Sequence, residues 1–169
     1  PRQPEAWLDV GHLYAIHSFG RGLGAQAEAH IKRAHEEGVL GATRIRGYVR
    51  ATRAEEPAEA SRGAEMVRAA AEGGDPLALF AMSHLCQQGI GVAADSAAAD
   101  QWRARFGEAV NGDLDSHTSF SVAMRLHFGI GVPKELAIAR QILTKLAARG
   151  FAPAMHELST CLLTGCGGP

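Results

Sequence analysis

Two short stretches of the sequence have residue types and spacing that could perform chemistry. Segment 89–94 (GIGVAA) matches a loose glycine-rich dinucleotide fingerprint. That fingerprint requires a preceding β-strand, whereas the residues before it predict a helix. His156-Glu157 begins like the helix of a zinc protease, but Thr160 stands where the second histidine must lie. We therefore predict neither a nucleotide site nor a zinc-protease site.

A third stretch alternates oxygen and nitrogen donors at Asp113, Asp115 and His117. A calcium loop starting there would need a carboxylate at its twelfth position, where Met124 stands. Helix N-capping by Asp113, Asp115 or Ser116 is the favoured interpretation, because such side chains accept hydrogen bonds from free backbone N–H groups. A metal site is the alternative.

No spacing in the sequence joins a serine or cysteine, a histidine and a carboxylate into a catalytic relay. No repeat position carries a histidine in every copy, and no two-cysteine, two-histidine zinc pattern exists. We predict that Cys86, Cys161 and Cys166 are free thiols, with a Cys161–Cys166 pair as the alternative. We predict no catalytic residue, no metal and no cofactor, hence no enzyme; a metal-binding or enzymatic variant is the alternative.

Arg46, Arg50 and Arg53 lie at i, i+4 and i+7 and form one stripe on a predicted helix. One hypothesis is a basic docking strip for an acidic partner. The favoured interpretation is a solvated face neutralised by acidic residues nearby, since surface ion pairs are common and individually weak. These acidic residues are Glu55, Glu56 and Glu59.

One spaced pattern occurs five times in the sequence, at intervals of 36, 36, 40 and 36 residues, and the elements that it predicts must position all these side chains. Each copy places apolar or small residues at i, i+4, i+5 and i+8, offsets that share one helix face. The copies begin at Ala6, Ala42, Ala78, Thr118 and Ala154. They predict a first helix per repeat, at 4–17, 41–53, 76–88, 116–128 and 152–164. The small i+5 residues (Gly11, Gly47, Ser83, Ala123 and Ser159) would let neighbouring helices approach closely.

Second helices are predicted at 23–37, 58–72, 94–110 and 134–149, after glycine turns that favour helix ends. They share a small position (Ala25, Ser61, Ala97, Ala137) and a bulky one (His30, Met66, Trp102, Ile142). The pattern predicts an all-α, right-handed α/α superhelical solenoid of about four and a half helix-turn-helix repeats. We expect one repeat domain over 1–169, with repeats at 4–38, 41–74, 76–112, 116–150 and 152–169, the last holding only its first helix.

The second repeat departs from the pattern, because Arg46 and Arg50 occupy its nominal core positions. Burying an unpaired arginine is costly. We therefore predict that this helix shifts by one residue and buries Ile45, Val49 and Tyr48.

The combined pattern resembles the Sel1-like repeat family, a branch of the tetratricopeptide-like solenoids. The third repeat has the fullest set, which is Ala78, Met82, Ser83, Gly89, Gly91, Val92, Asp95, Ala97 and Trp102. The resemblance implies an adaptor or scaffold that docks partners on a concave face. With the first helices lining that face, the candidate contacts are Arg46, Arg50, Arg53, His84, Gln87, Gln88, Arg125, His127 and Glu157.

The composition of the chain limits the classes of partner that we expect. The net charge of −1 argues against non-specific nucleic-acid binding, and no apolar run reaches the length of a membrane span. We predict a bacterial protein-interaction module for a protein or peptide, with an immunity or chaperone-type partner of a secreted effector as the alternative. Because the chain begins at Pro1, we expect a processed or trimmed N-terminus. The compartment stays open, with a soluble cytoplasmic location slightly favoured over a periplasmic one.

Overall fold

The computed structural model describes residues 25–112 and 114–164, and every regular element in that part of the chain is an α-helix. The eight helices are α1 (Ala25–Glu36), α2 (Leu40–Arg53), α3 (Pro57–Glu72), α4 (Pro76–Gln88), α5 (Ser96–Asn111), α6 (Ser116–Phe128), α7 (Leu136–Ala148) and α8 (Ala152–Thr164). The predicted first helices agree with α2, α4, α6 and α8 to within one residue. The predicted second helices agree with α1, α3, α5 and α7 to within two. The predicted helix 4–17 lies outside the described residues.

The helix ends follow local chemistry that the sequence displays. The Asp75 carboxylate caps α4 by accepting a hydrogen bond of 3.0 Å from the Leu77 N–H. The Asp115 carboxylate accepts bonds of 2.9 and 3.0 Å from the N–H groups of His117 and Thr118. The predicted N-cap at Asp115 is therefore confirmed. Glycines with positive φ follow five helices, at positions Gly38, Gly74, Gly89, Gly129 and Gly150.

Helices α2 and α3 form a hairpin whose closest approach depends on two glycines. A Cβ added at Gly63 would lie 2.4 Å from the Ala51 nitrogen, and one at Gly47 would lie 2.8 Å from the Gly63 oxygen. Such distances leave no room for a side chain. The prediction that a small residue at Gly47 allows two helices to approach is confirmed for this pair.

The buried small residues of the second helices do not lie where the shared pattern placed them. Ala25, Ser61, Ala97 and Ala137 are exposed. The buried row lies two residues later, at Ala27, Gly63, Ala99 and Ala139. Both rows keep the repeat spacing, so the spacing alone did not reveal which row faces the core.

The first-helix pattern also has exceptions in the last two repeats. Thr118 is exposed because its hydroxyl donates to the Asp115 cap, at 2.6 Å, and Ser119 is buried in its place. In α8, Ser159 is exposed and Leu162 is 59% exposed, while Ala154 and Cys161 are buried. The core-facing side of this helix is therefore narrower than the repeat pattern predicts.

The described residues group into two compact units. The first unit comprises residues 25–106 and 130–132, and Phe80, Leu77, Met82 and Leu85 are buried at its centre. The second comprises residues 107–129 and 133–164, with Val122, Leu126, Leu143 and Leu146 in its core. The single-domain organisation stays a prediction. No described helix combines the length and apolarity needed to cross a bilayer.

Candidate interaction surface

Helix α2 carries most of the candidate site, and its orientation resolves the conflict of arginines at nominal core positions. Ile45 is fully buried, Val49 and Arg46 are half-buried, and Arg50 is exposed. The predicted rotation of this helix is therefore confirmed for Ile45. Val49 and Tyr48 are only half-buried, which corrects the expectation that they enter the core.

A different arginine, Arg44, is the buried one, with no exposed surface. Its Nε donates to the Asp75 carboxylate at 2.9 Å. Its Nη1 donates to the carbonyl oxygens of Ile130 and Gly131 at 2.9 and 3.0 Å. Sequence reasoning missed this residue, although one signal was available: Arg44 holds the repeat position of Phe80 and Phe120. A charged residue at an aromatic position needs buried partners, which Asp75 and the 130–131 turn supply.

Arg50, the middle residue of the arginine stripe, is neutralised by an acidic residue. Arg50 pairs with Glu59 at 2.6 Å, and Glu59 also pairs with Arg62 at 2.6 Å. Hydrogen bonding from Arg50 is the main reason why the pKa of Glu59 lies below its usual value. Arg53 is exposed at the end of α2. For Arg50, the structure therefore supports the solvated, neutralised face rather than a free basic strip.

Arg46 lines a cleft between α1 and α3, which Arg50 also lines. We call this the Arg46 cleft; its volume is about 360 Å³ and its lining residues are Glu28, Ile31, Arg46, Val49, Arg50 and Met66. No described carboxylate forms an ion pair with Arg46. The positive charge of Arg46 acts on His35, whose pKa is lowered mainly by burial and secondly by this charge. The cleft therefore combines apolar side chains with a cation that has no ion pair among the described residues.

His84 lies on a different face from Arg46. The Tyr48 hydroxyl and the His84 Nδ1 are 3.2 Å apart, which joins the neighbouring first helices α2 and α4. Tyr48 and Arg46 are two residues apart and thus about 160° apart around a helix with about 3.6 residues per turn. The predicted contact set therefore divides into an Arg46 group and a His84 group. Gln87 and Gln88 are exposed at the end of α4.

The Tyr48–His84 contact is a half-buried hydrogen bond between two uncharged side chains. Burial raises the pKa of Tyr48 to about 12. Burial, and then the charge of Arg103, lowers the pKa of His84 below 6.5. The Arg103 guanidinium lies 5.2 Å from the centre of the Phe80 ring, and Phe80 precedes His84 by four residues on α4. At neutral pH the uncharged imidazole can accept the Tyr48 hydroxyl.

These shifts predict a loss of stability in mild acid. Because the folded-state pKa of His84 lies below its ordinary 6.5, protonation favours the unfolded chain. The stabilisation is complete above pH 6.5 and is lost as the pH falls through that value towards the folded-state pKa. We expect the urea midpoint to fall between about pH 7.5 and about pH 5.5, and to fall less in His84→Gln. His156→Gln, at an exposed position, is the control; equal slopes for both variants would contradict the assignment.

Comparisons with known proteins address the fold. No family profile matches the sequence, and no curated protein matches it either. The chain is similar to the solved structure of a Sel1 repeat protein from Oxalobacter formigenes, at 26% identity over 98% of this chain and 64% of that one, with a TM-score of 0.49. It is also similar to a protective antigen present in uropathogenic Escherichia coli strains that displays an SLR fold, at 22% identity over 98% of this chain and 34% of that one, with a TM-score of 0.50. This chain has the Sel1-like repeat fold.

The predicted all-α repeat class and the family resemblance are thus confirmed at the level of the fold. The chain spans 34% of the length of the antigen and 64% of the length of the Oxalobacter protein. The antigen's bacterial source agrees with the bacterial source expected from the sequence. In Sel1-like repeat terms, α2 and α4 are first helices of adjacent repeats.

The remaining predicted contacts of the Sel1-like repeat lie in the second unit. Arg125, His127 and Glu157 are each half-buried. Burial and then Lys134 lower the pKa of His127, while Glu157 opposes that shift. The His127 Nδ1 lies 3.9 Å from the Sγ of the buried Cys161.

Cys86 is a buried free thiol, as its core position in the Sel1-like repeat predicts. Cys166 and Asp113 lie outside the described residues, so the Cys161–Cys166 pair stays a prediction. Within the described part of the chain, no three His, Cys, Asp or Glu side chains gather closely enough to hold a metal ion.

A second cleft of the Sel1-like repeat lies beside its turns. It has a volume of about 640 Å³ and is formed by segments 51–61 and 89–93. Glu55 and Glu56 supply its charge, and small side chains and the glycine turn supply most of the rest. Its volume is larger than that of the Arg46 cleft, but the only charged side chains among its described lining residues are these two carboxylates.

Proposed function

We propose that this chain is a non-enzymatic protein-interaction module, an adaptor or scaffold that binds another protein or a peptide through a helical surface that includes the Arg46 cleft. The Arg46 cleft carries this proposal, since it places a cation that has no ion pair among the described residues beside apolar side chains on a preformed helical surface. Interaction sites commonly combine an apolar floor with a few polar groups that fix orientation. The Sel1-like repeat resemblance points to the same class of function.

An enzymatic function has weaker support. Among the described residues, Cys161 and His127 come nearest to a nucleophile and its base. Their separation of 3.9 Å exceeds the reach of a catalytic hydrogen bond, and the thiol is 3% exposed. A substrate would therefore have little access to the sulfur atom. The near-neutral net charge of −1 also favours a protein partner over nucleic acid.

Site-specific photo-crosslinking in cells of the source organism tests the proposal. A photoreactive residue is placed at Glu28 or Arg50, which are exposed and line the Arg46 cleft, or at Arg53, which is exposed on the same helix as Arg50. Matched positions are Gln141 and Thr144, which are exposed on the second helix α7. We expect a discrete adduct with the same protein from the positions in and beside the Arg46 cleft and weaker adducts from the matched positions. Equal labelling at all positions would overturn the proposal.

A further inference from the structure

We propose that the Arg46 cleft binds a partner segment that presents a single carboxylate next to an apolar side chain. This inference rests on the proposed interaction function and names the chemistry of the partner. It concerns one face of the chain, formed by α1, α2 and α3. An acidic, amphipathic peptide is the occupant that these walls fit.

The charge of the cleft supports an acidic side chain. The lining of the cleft holds the cations Arg46 and Arg50 and the carboxylate Glu28. Arg50 is already paired with Glu59, whereas Arg46 forms no ion pair with any described carboxylate and is therefore the cation available to a partner. A carboxylate from a partner would complete an arginine–carboxylate pair, which is well suited to bidentate geometry.

Glu28 limits the number of acidic groups that the cleft accepts. Its carboxylate lines the same cleft and repels further negative charge. A polyacidic segment would gain one ion pair at Arg46 and meet repulsion at Glu28. The cleft therefore selects one acidic residue rather than a run of them.

The apolar lining supports the second part of the proposal. Ile31 is fully buried, whereas Val49 and Met66 are half-buried and keep surface available for contact. Methionine adapts its shape to different apolar side chains, because its thioether chain is flexible and polarisable. A volume of about 360 Å³ holds one or two side chains, which fits a peptide segment better than a domain face.

The experiment uses peptides selected on the purified chain. A display library of random peptides is panned, and the strongest binders are synthesised and titrated by calorimetry. We expect the binders to share an acidic residue beside a leucine, methionine or phenylalanine. Replacing that acidic residue with glutamine should weaken binding at least about tenfold, the change expected from losing one well-formed ion pair.

Matched charge reversals in the protein locate the site. Arg46→Glu should weaken binding of the selected peptides at least about tenfold. Arg68→Glu makes the same charge change on the exposed face of α3, outside the cleft, and should alter binding less than about threefold. A peptide with lysine in place of its acidic residue should bind Arg46→Glu better than wild type. Helical circular dichroism checks that both variants fold.

Three results would overturn the inference. The first is a set of binders without acidic residues, and the second is equal loss in Arg46→Glu and Arg68→Glu. The third is self-association of the chain that Arg46→Glu abolishes, since the occupant would then be a second copy. None of these three results changes the photo-crosslinking result, so the proposal that the chain is an interaction module would still stand. If no discrete crosslinked adduct forms but the selected peptides still bind, the interaction module is contradicted and the peptide chemistry of the cleft is not.

Discussion

Replacing Arg44 with methionine is expected to lower the free energy of unfolding by about 3–5 kcal/mol, the usual result of removing one partner from a buried ion pair. Arg44 has no exposed surface and donates to Asp75, Ile130 and Gly131. Methionine fills a similar volume but leaves the Asp75 carboxylate and two carbonyl oxygens without these donors. Urea denaturation followed by circular dichroism at 222 nm measures the loss.

The double variant Arg44→Met with Asp75→Asn separates the charge from the packing. Asparagine is uncharged and can still accept the N-cap bond that Asp75 now accepts from Leu77. We therefore expect the double variant to be more stable than Arg44→Met alone. Arg53→Met, at an exposed position on the same helix, should change stability by less than about 0.5 kcal/mol. Equal effects at Arg44 and Arg53 would contradict the structure of this ion pair.

The positions of the helices were predictable because their determinants are local. Each first helix repeats its small and apolar residues at fixed offsets, and each end has a capping residue or a glycine nearby. The cap at Asp115 and the positive φ at Gly129 both depend on residues within one helical turn. The N-cap predicted at Asp115 followed from the same local chemistry.

Arg44 was not predictable by the same route, because its partners are remote in sequence. Asp75 lies 31 residues away, and the Ile130 and Gly131 carbonyls lie 86 and 87 residues away. Helical periodicity does not report which remote backbone groups meet a side chain. The aromatic residues at the equivalent positions, Phe80 and Phe120, indicate a core position but not a salt bridge.

The candidate site was predictable in part. The neutralisation of Arg50 by Glu59 follows from charges nine residues apart across one short turn. Tyr48 and His84 are 36 residues apart, which is one repeat, so the two equivalent side chains meet on adjacent first helices. Whether a described carboxylate reaches Arg46 depends on how α1 and α3 flank α2, and the sequence pattern does not determine that geometry.

Replacing Gly63 with alanine is expected to lower the free energy of unfolding by about 2 kcal/mol, as an overpacked core does. The added Cβ would lie 2.4 Å from the Ala51 nitrogen and 2.6 Å from the Gly47 oxygen. Both are backbone atoms, so a rotamer change cannot relieve the contact and the α2–α3 hairpin must open. Alanine also favours the helix over glycine by up to about 1 kcal/mol, which offsets part of the loss. Urea denaturation monitored by circular dichroism measures the net effect.

Gly107→Ala is the matched control, because Gly107 is also inside a helix but has no atom within 4 Å of an added Cβ. There the gain in helix propensity acts alone, and stability should rise by up to about 1 kcal/mol. The two variants make the same chemical change and should move stability in opposite directions. A rise at both positions would show that α2 and α3 do not approach at Gly63. The sign of the Gly63 effect therefore reports directly on the hairpin that forms one wall and the floor of the Arg46 cleft.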